Sequence, residues 1–220
     1  MNKKLDESVF SSYNQESCYW AGFLAADGCI DINNTVRIEL GGKDNEHVQK
    51  FKNFCRSEHT ISHNQTKNSY KVGFCSPIIT TDLYYNYAVT TNKTHQLILP
   101  LLPQLEDYRH YLRGFYDGDG CITEFFNNRP TATYRVFLTS GALDFLEELL
   151  ELLKHNNITA GGSIQKKAAN CWHIQFGVKD SAAFLNWIYT DATVYLPRKY
   201  DKYINLVVNN NRAKKDMAEA

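Results

Sequence analysis

Apolar and polar residues change period several times along the chain, and the changes come in the same order twice. Ser12 with Gln15 has the form of a capping box, and the stretch that follows predicts a helix to Asp27, with Gly28 suited to the position past its end. "CIDIN" and "TVRIEL" then alternate, putting Ile30, Ile32, Val36, Ile38 and Leu40 on one face of a half-buried hairpin that turns at Asn33-Asn34. "DNEHVQKFKNFC" returns to helical period. "HTISH" and "SYKVGF" flank the turn-rich "NQTKN" as a second hairpin, and "SPIITTDLYYNY" predicts another helix. The pattern restarts at Pro103, which suits the first turn of a helix running through "QLEDYRHYLRGFYDGD" and stopping at Gly120. "CITEFF" and "ATYRVFLT" form a hairpin around "NNRP", "ALDFLEELLELLKHN" is an amphipathic helix, "GSIQK" and "CWHIQFGV" pair, and "DSAAFLNWIY" is helical. Each half is therefore helix, hairpin, helix, hairpin, helix. The expected class is α+β with two pseudo-symmetric halves, 1–102 and 103–208, and a polar tail over 209–220.

The repetition extends to the residues themselves. "YWAGFLAADGCI" (Tyr19–Ile30) and "YLRGFYDGDGCI" (Tyr111–Ile122) share seven of twelve positions at a spacing of 92. That spacing is too long for a solenoid unit and suits a half-protein duplicated and fused. Downstream, "RIEL" at Arg37 answers "RVFL" at Arg135.

The 220 residues suffice for one large or two small domains. No apolar run approaches the length of a membrane span, and no apolar segment follows the N-terminal lysines, so neither a membrane partner nor a secretory signal is expected. The six cysteines lie without a Cys-x-x-Cys pair, which points away from zinc or disulfides and towards reduced thiols in an intracellular setting (cytoplasm, nucleoid or organelle matrix). The formal net charge of zero argues by itself against nucleic acid. Its distribution argues otherwise, because 59–81 and 161–179 hold lysines and histidines and no acid. A neutral chain can carry a basic face.

Gly22 and Ala26, like Gly114 and Gly118, stand four apart and leave one helical stripe nearly bare. A glycine within a helix costs about 0.8–1.0 kcal/mol relative to alanine, so the stripes need compensation, and packing one on the other supplies it. Asp27 and Asp119 would then meet at helix ends where the dipole disfavours an anion. Two close carboxylates repel, and a divalent cation relieves them. Hard carboxylate oxygens suit Mg²⁺, and paired carboxylates holding metal are the apparatus of phosphodiester hydrolysis.

"WAGFLAADG" and "LRGFYDGDG" resemble the LAGLIDADG motif, and two copies in a chain of this length resemble a monomeric LAGLIDADG homing endonuclease over roughly Ser12 to Asn205. The resemblance implies that Asp27 and Asp119 are catalytic metal ligands, with the backbone carbonyls of Ala26 and Gly118 as further ligands. It implies Mg²⁺ as cofactor, with Mn²⁺ or noncatalytic Ca²⁺ able to take its place. It implies a saddle of two four-stranded antiparallel sheets along the DNA major groove, a long double-stranded target cut on both strands, and a monomer with no obligate protein partner, encoded by a mobile element. Lys93 in "TTNKT" and Lys199 in "LPRKY" resemble the family's late basic position near the active centre. The motif's earlier Asp is Ala25 in the first copy and Asp117 in the second, and the positions that would hold a water-orienting polar group are Gly42 and Ser140.

Strand alternation nominates the DNA-reading side chains: Cys29, Asp31, Asn33, Arg37 and Glu39 in the first half, Cys121, Thr123, Arg135, Phe137 and Thr139 in the second. The acid-free hairpins add His63, Gln65, Lys67, Asn68, Lys71, Gln165, Lys167, Asn170 and Gln175. The same scaffold also serves intron maturases, whose partner is host intron RNA, and noncatalytic DNA-binding proteins. Both need the saddle without the chemistry, and the retention of both acids favours cleavage.

Overall fold

Asn14, two residues beyond Ser12, opens the first helix. Its side chain accepts from the Glu16 and Ser17 N–H groups, and Ser17 Oγ accepts from the Asn14 N–H at 2.9 Å. The capping box is thus Asn14 with Ser17, and Ser12 offers its carbonyl to Ser17 Oγ. Helix α1 spans Gln15–Asp27 and is buried from Ser17 to Ala25. Gly28 follows at φ −76°, so it is not a left-handed cap. Space explains the glycine instead, since a β-carbon there would sit 2.5 Å from Leu24 Cδ2.

The computed structural model describes residues 3–91, 95–125 and 133–209. The chain divides into two compact units, Met1–Gly118 and Asp119–Ala220. In the first, β1 (Cys29–Ile30), β2 (Thr35–Gly41), α2 (Asn45–Phe54), β3 (Ser62–Asn64), β4 (Ser69–Cys75), α3 (Pro77–Tyr87) and α4 (Leu105–Asp119, all but its last residue) follow α1. The strands form one antiparallel four-stranded sheet in the order β1-β2-β4-β3, so the two expected hairpins are joined through β2 and β4. Val36, Ile38, Val72 and Phe74 turn inward, where α1, α2 and α3 cover them with Trp20, Phe23 and Phe51. Ile32 does not join this row. Asp31 Oδ1 accepts from the Asn33 and Thr35 N–H groups, forming an Asx turn with Asn34 at φ 57°. That turn ends β1 early and leaves Ile32 86% exposed. Pro103 also lies outside its expected place, because Asp107 Oδ2 accepts from the Gln104 N–H and closes the first turn of α4 after the proline.

The second unit repeats the order of strands and helices that follows α1, the matching opening helix α4 lying in the first unit but for Asp119. β5 (Gly120–Phe125), β6 (Thr133–Ser140), α5 (Leu143–His155), β7 (Ser163–Ala168), β8 (Cys171–Gln175) and α6 (Val178–Tyr189) give a sheet ordered β5-β6-β8-β7. Phe145, Leu146, Leu149, Leu150 and Leu153 form the buried stripe of α5. The expected turn at "NNRP" and residues 210–220 of the expected tail lie outside the described residues. One element was not read from the sequence: α7 (Pro197–Tyr203), which passes into a π-helical segment, Ile204–Asn209. Tyr189, Tyr200 and Tyr203 hold it in place through ring contacts centred 5.0–5.8 Å apart. The class is α+β, as expected.

Candidate functional site

The expected stripes meet within the first unit. A β-carbon on Gly22 would overlap the carbonyl of Tyr111, and one on Gly114 would overlap that of Tyr19 and lie 2.7 Å from the Phe23 nitrogen. Each glycine therefore receives the other helix's backbone. Lower down, Gly118 lies against Ala26, with the Asp27 nitrogen 3.3 Å from where its β-carbon would be. α4 belongs to the first unit as far as Gly118.

A buried polar network flanks the seam. Tyr19 Oη donates to Asp117 Oδ2 at 2.8 Å and lies 2.9 Å from His47 Nε2. Burial, then the Asp117 charge, pushes the Tyr19 hydroxyl well above its ordinary range, so the phenol keeps its proton and the imidazole supplies the second one. The Arg113 guanidinium packs 5.3 Å from the Tyr19 ring centroid and donates to His110 Nδ1 at 3.0 Å. Asp117, Arg113, His47 and His110 are all buried. The earlier motif Asp thus sits in the packing of the helix pair. His47 and His110, which carry no distinguishing spacing in the sequence, are part of this network.

Asp27 and Asp119 end α1 and α4 and are both exposed, while Ala26 and Gly118 before them are half-buried. Within the second unit, Lys199 Nζ donates to the Gly120 carbonyl at 2.6 Å with its side chain nearly buried. α7 positions it: Pro197 sets the first turn, and Leu196, 1% exposed, anchors the chain before it. The expected basic residue therefore lands one residue from Asp119. Its counterpart Lys93 lies outside the described residues. Ser140 is buried and accepts from the Ala142 N–H, capping the turn into α5, and Gly42 packs against the Asn68 side chain.

The register sorts the nominated strand residues by face. In the first sheet Cys29 pairs with Arg37 and Glu39 with Lys71, so these share the outer face, and Arg37, Glu39 and Lys71 are exposed. Asp31 and Asn33 belong to the turn, and Asp31 faces Arg37 at 4.0 Å. Gln65, Lys67 and Asn68 lie exposed in the β3–β4 connection. His63 departs from the outer row. It pairs with Tyr70 and stacks on that ring at 4.3 Å, on the inward alternation of β4, whereas Ser62 and Asn64 stand beside Lys71 and Ser69. Neither of those two was nominated, and only the register identifies them.

In the second sheet Cys121 pairs with Phe137, Thr123 with Arg135, Thr139 with His173 and Gln165 with His173, which places Gln175 opposite Phe137 on the same face. Lys167 occupies a register irregularity between Lys166 and Ala168, and Asn170 sits at φ 53° in the turn that follows. Lys166 instead pairs with Trp172, with its ammonium 5.3 Å from the indole centroid. His173, absent from the nominated set, stands in the middle of this face.

A LAGLIDADG-like domain model matches residues 106–188, and no curated protein matches the chain. Among solved structures, the LAGLIDADG meganuclease I-AabMI bound to uncleaved DNA aligns at TM-score 0.64 and 16% identity, over 92% of each chain. The I-LtrWI LAGLIDADG homing endonuclease bound to target DNA gives 0.63 and 13% identity over 92% of this chain and 93% of that one. I-SmaMI bound to cleaved DNA gives 0.63 and 12% identity over 91% of each. Residues 106–188 thus match a LAGLIDADG-like domain, within a chain that has, over about nine-tenths of its length, the fold of LAGLIDADG homing endonucleases.

Proposed function

We propose that the chain is a site-specific DNA endonuclease that makes a double-strand break by divalent-metal-dependent hydrolysis, with the outer faces of its two sheets on the major groove. The observation that carries this reading is that an exposed aspartate ends each motif helix, on a fold shared with nucleases bound to DNA. Gly118 touches Ala26 within the first unit, and Asp119 is the next residue along. That supports a shared site in which Asp27 and Asp119, with the carbonyls of Ala26 and Gly118, hold the cation. The donor set fits Mg²⁺, which takes hard oxygens and few protein ligands, and among the described residues no larger cluster of His, Cys, Asp or Glu is gathered for a softer metal. When bound, the ion supplies charge stabilisation at the attacking and leaving oxygens. The protein's own part is to hold the carboxylates, to fix the Gly120 backbone next to Asp119 through Lys199, and to place a cation near charge developing on the phosphate. The sheets fix register through Arg37, Lys71 and Arg135.

The test starts from duplexes recovered by the protein out of a randomised pool. A plasmid carrying the recovered site should be linearised in Mg²⁺. Asp27→Asn and Asp119→Asn should each abolish cutting while leaving DNA affinity within a few-fold. Tight binding by the unaltered chain with no cutting in Mg²⁺ or Mn²⁺ would instead assign it to binding alone, and normal cutting by both variants would remove the aspartates from the site.

A further inference from the structure

The internal repeat sets Glu39 and Phe137 at the same point of the two sheets. "RIEL" and "RVFL" align residue for residue, and the position lies one outward pleat beyond an arginine present in both, Arg37 and Arg135. The surroundings differ. Glu39 pairs with Lys71, and its Oε1 accepts the Ser69 hydroxyl at 2.6 Å. With Ser62, His63, Asn64, Lys67, Ser69 and Lys71 it lines a polar cleft of about 460 Å³, which the exposed His63 borders from the edge strand. The Ser69 hydrogen bond, helped by Lys71, Lys67 and Arg37, holds its carboxyl below the ordinary range, so it stays ionised.

Phe137 pairs with Gln175 and joins an aromatic row: its ring centroid lies 6.5 Å from that of Phe125 and 5.3 Å from that of His173, the latter edge to face. Burial first, then Lys167, lowers the pKa of His173, so the imidazole beside the ring is neutral at neutral pH. Arg135 Cζ sits 5.4 Å from the Phe125 centroid. The two copies share the arginine and differ at the next outward position, a carboxylate in one and a phenyl ring in the other.

Base edges answer these two groups differently. In the major groove the C5-methyl of thymine is the one apolar group, whereas a carboxylate can accept only from an exocyclic amine, cytosine N4 being its usual partner. A carboxylate facing phosphates is repelled, so with Oε1 engaged by Ser69 a base amine is the nucleic-acid group from which Glu39 can accept. Building on the DNA-cleaving reading above, we propose that this pleat position makes the two half-sites of the target unequal: Glu39 selects cytosine through its amine, and Phe137 selects thymine through its methyl group.

The full chain, in Ca²⁺ to permit binding without cutting, would select duplexes from a randomised pool, alongside Phe137→Glu, Phe137→Leu and Glu39→Phe. Phe137→Glu should move one position of the second half-site from thymine to cytosine. Glu39→Phe should do the reverse in the first half, and Phe137→Leu, still apolar, should keep thymine. Replacing that thymine by uracil removes only the methyl and should weaken binding by the unaltered chain about fourfold, with no change for Phe137→Glu. Identical preferences in all four proteins, or equal affinity for thymine and uracil at every position of the second half-site, would overturn the assignment while leaving DNA recognition intact. Failure of the unaltered chain to enrich any site would overturn the DNA reading itself, and this inference with it.

Discussion

A lysine that is only 5% exposed must replace hydration of its ammonium with protein acceptors, and for Lys199 one of these is the Gly120 carbonyl. The same bond ties α7 to the residue after Asp119, so the charge is held on a fixed backbone. We expect Lys199→Met to lower cleavage on the order of a hundredfold, the usual effect of losing one preorganised electrostatic group, with little change in DNA affinity. Single-turnover rates and filter binding on the same duplex would separate the two. His110 gives a different prediction. Its Nδ1 accepts from Arg113, and its Nε2 lies 3.2 Å from Glu106 Oε1, an arrangement met by the neutral ring with its proton on Nε2. Burial, then Arg113 and Arg109, lowers its pKa to about 3. The unfolded chain takes up this proton near the ordinary value of about 6.5 and the folded chain does not. His110 therefore leaves stability untouched above that pH and removes up to about 1.4 kcal/mol per pH unit below it, until the folded value is reached. Thermal melts between pH 7 and 4 should show this slope, and it should flatten in His110→Gln.

At the scale of elements, the paired helices α1 and α4 admit no side chain at two points. Gly22→Ala and Gly114→Ala should each destabilise the chain by about 3 kcal/mol or more, the upper end for overpacking, because the obstructing atoms are backbone. Gly41→Ala serves as the control: nothing lies within 4 Å of its β-carbon position and its φ is −62°, so the melt should stay level or rise slightly. These glycines were legible in the sequence because a four-residue spacing of small residues has few other uses in a helix. The alternation of Val36, Ile38 and Leu40 was legible for a similar reason, one face of β2 being buried and the other exposed. Other features depend on contacts that no local pattern encodes. Ile32 keeps the strand period, but the Asp31 turn overrules it. His63 is displaced by a register set through β4, and α7 is short, with a stability that comes from tyrosine rings rather than from its own periodicity. Asn14 outcompetes Ser12 because its own box with Ser17 closes correctly.

At the scale of the whole molecule, zero net charge conceals an arrangement by face. Arg37, Lys67, Lys71, Arg135 and Lys167 stand exposed on the outward sides of the sheets or in their connections, and the glutamates of α5 lie on a helix behind the second sheet. A neutral protein should therefore bind DNA with the salt dependence of a cationic one. We expect log affinity against log salt to fall with a slope of roughly −4 to −5. Lys71→Ala should make it shallower by about one, and Lys52→Ala, in half-buried surroundings on α2, should leave it unaltered. Titrations from 50 to 300 mM KCl would read both.

The interlocked glycines also bear on how the duplicated copies can diverge. Each is seated on the main chain of the other repeat, which mutation cannot trim, so drift at Gly22 has no remedy near Tyr111, nor drift at Gly114 near Tyr19. The copies are free to part company at their outward pleats, as Glu39 and Phe137 have done, while at this juncture each glycine is bound by the backbone of the other copy, whatever side chains that copy acquires.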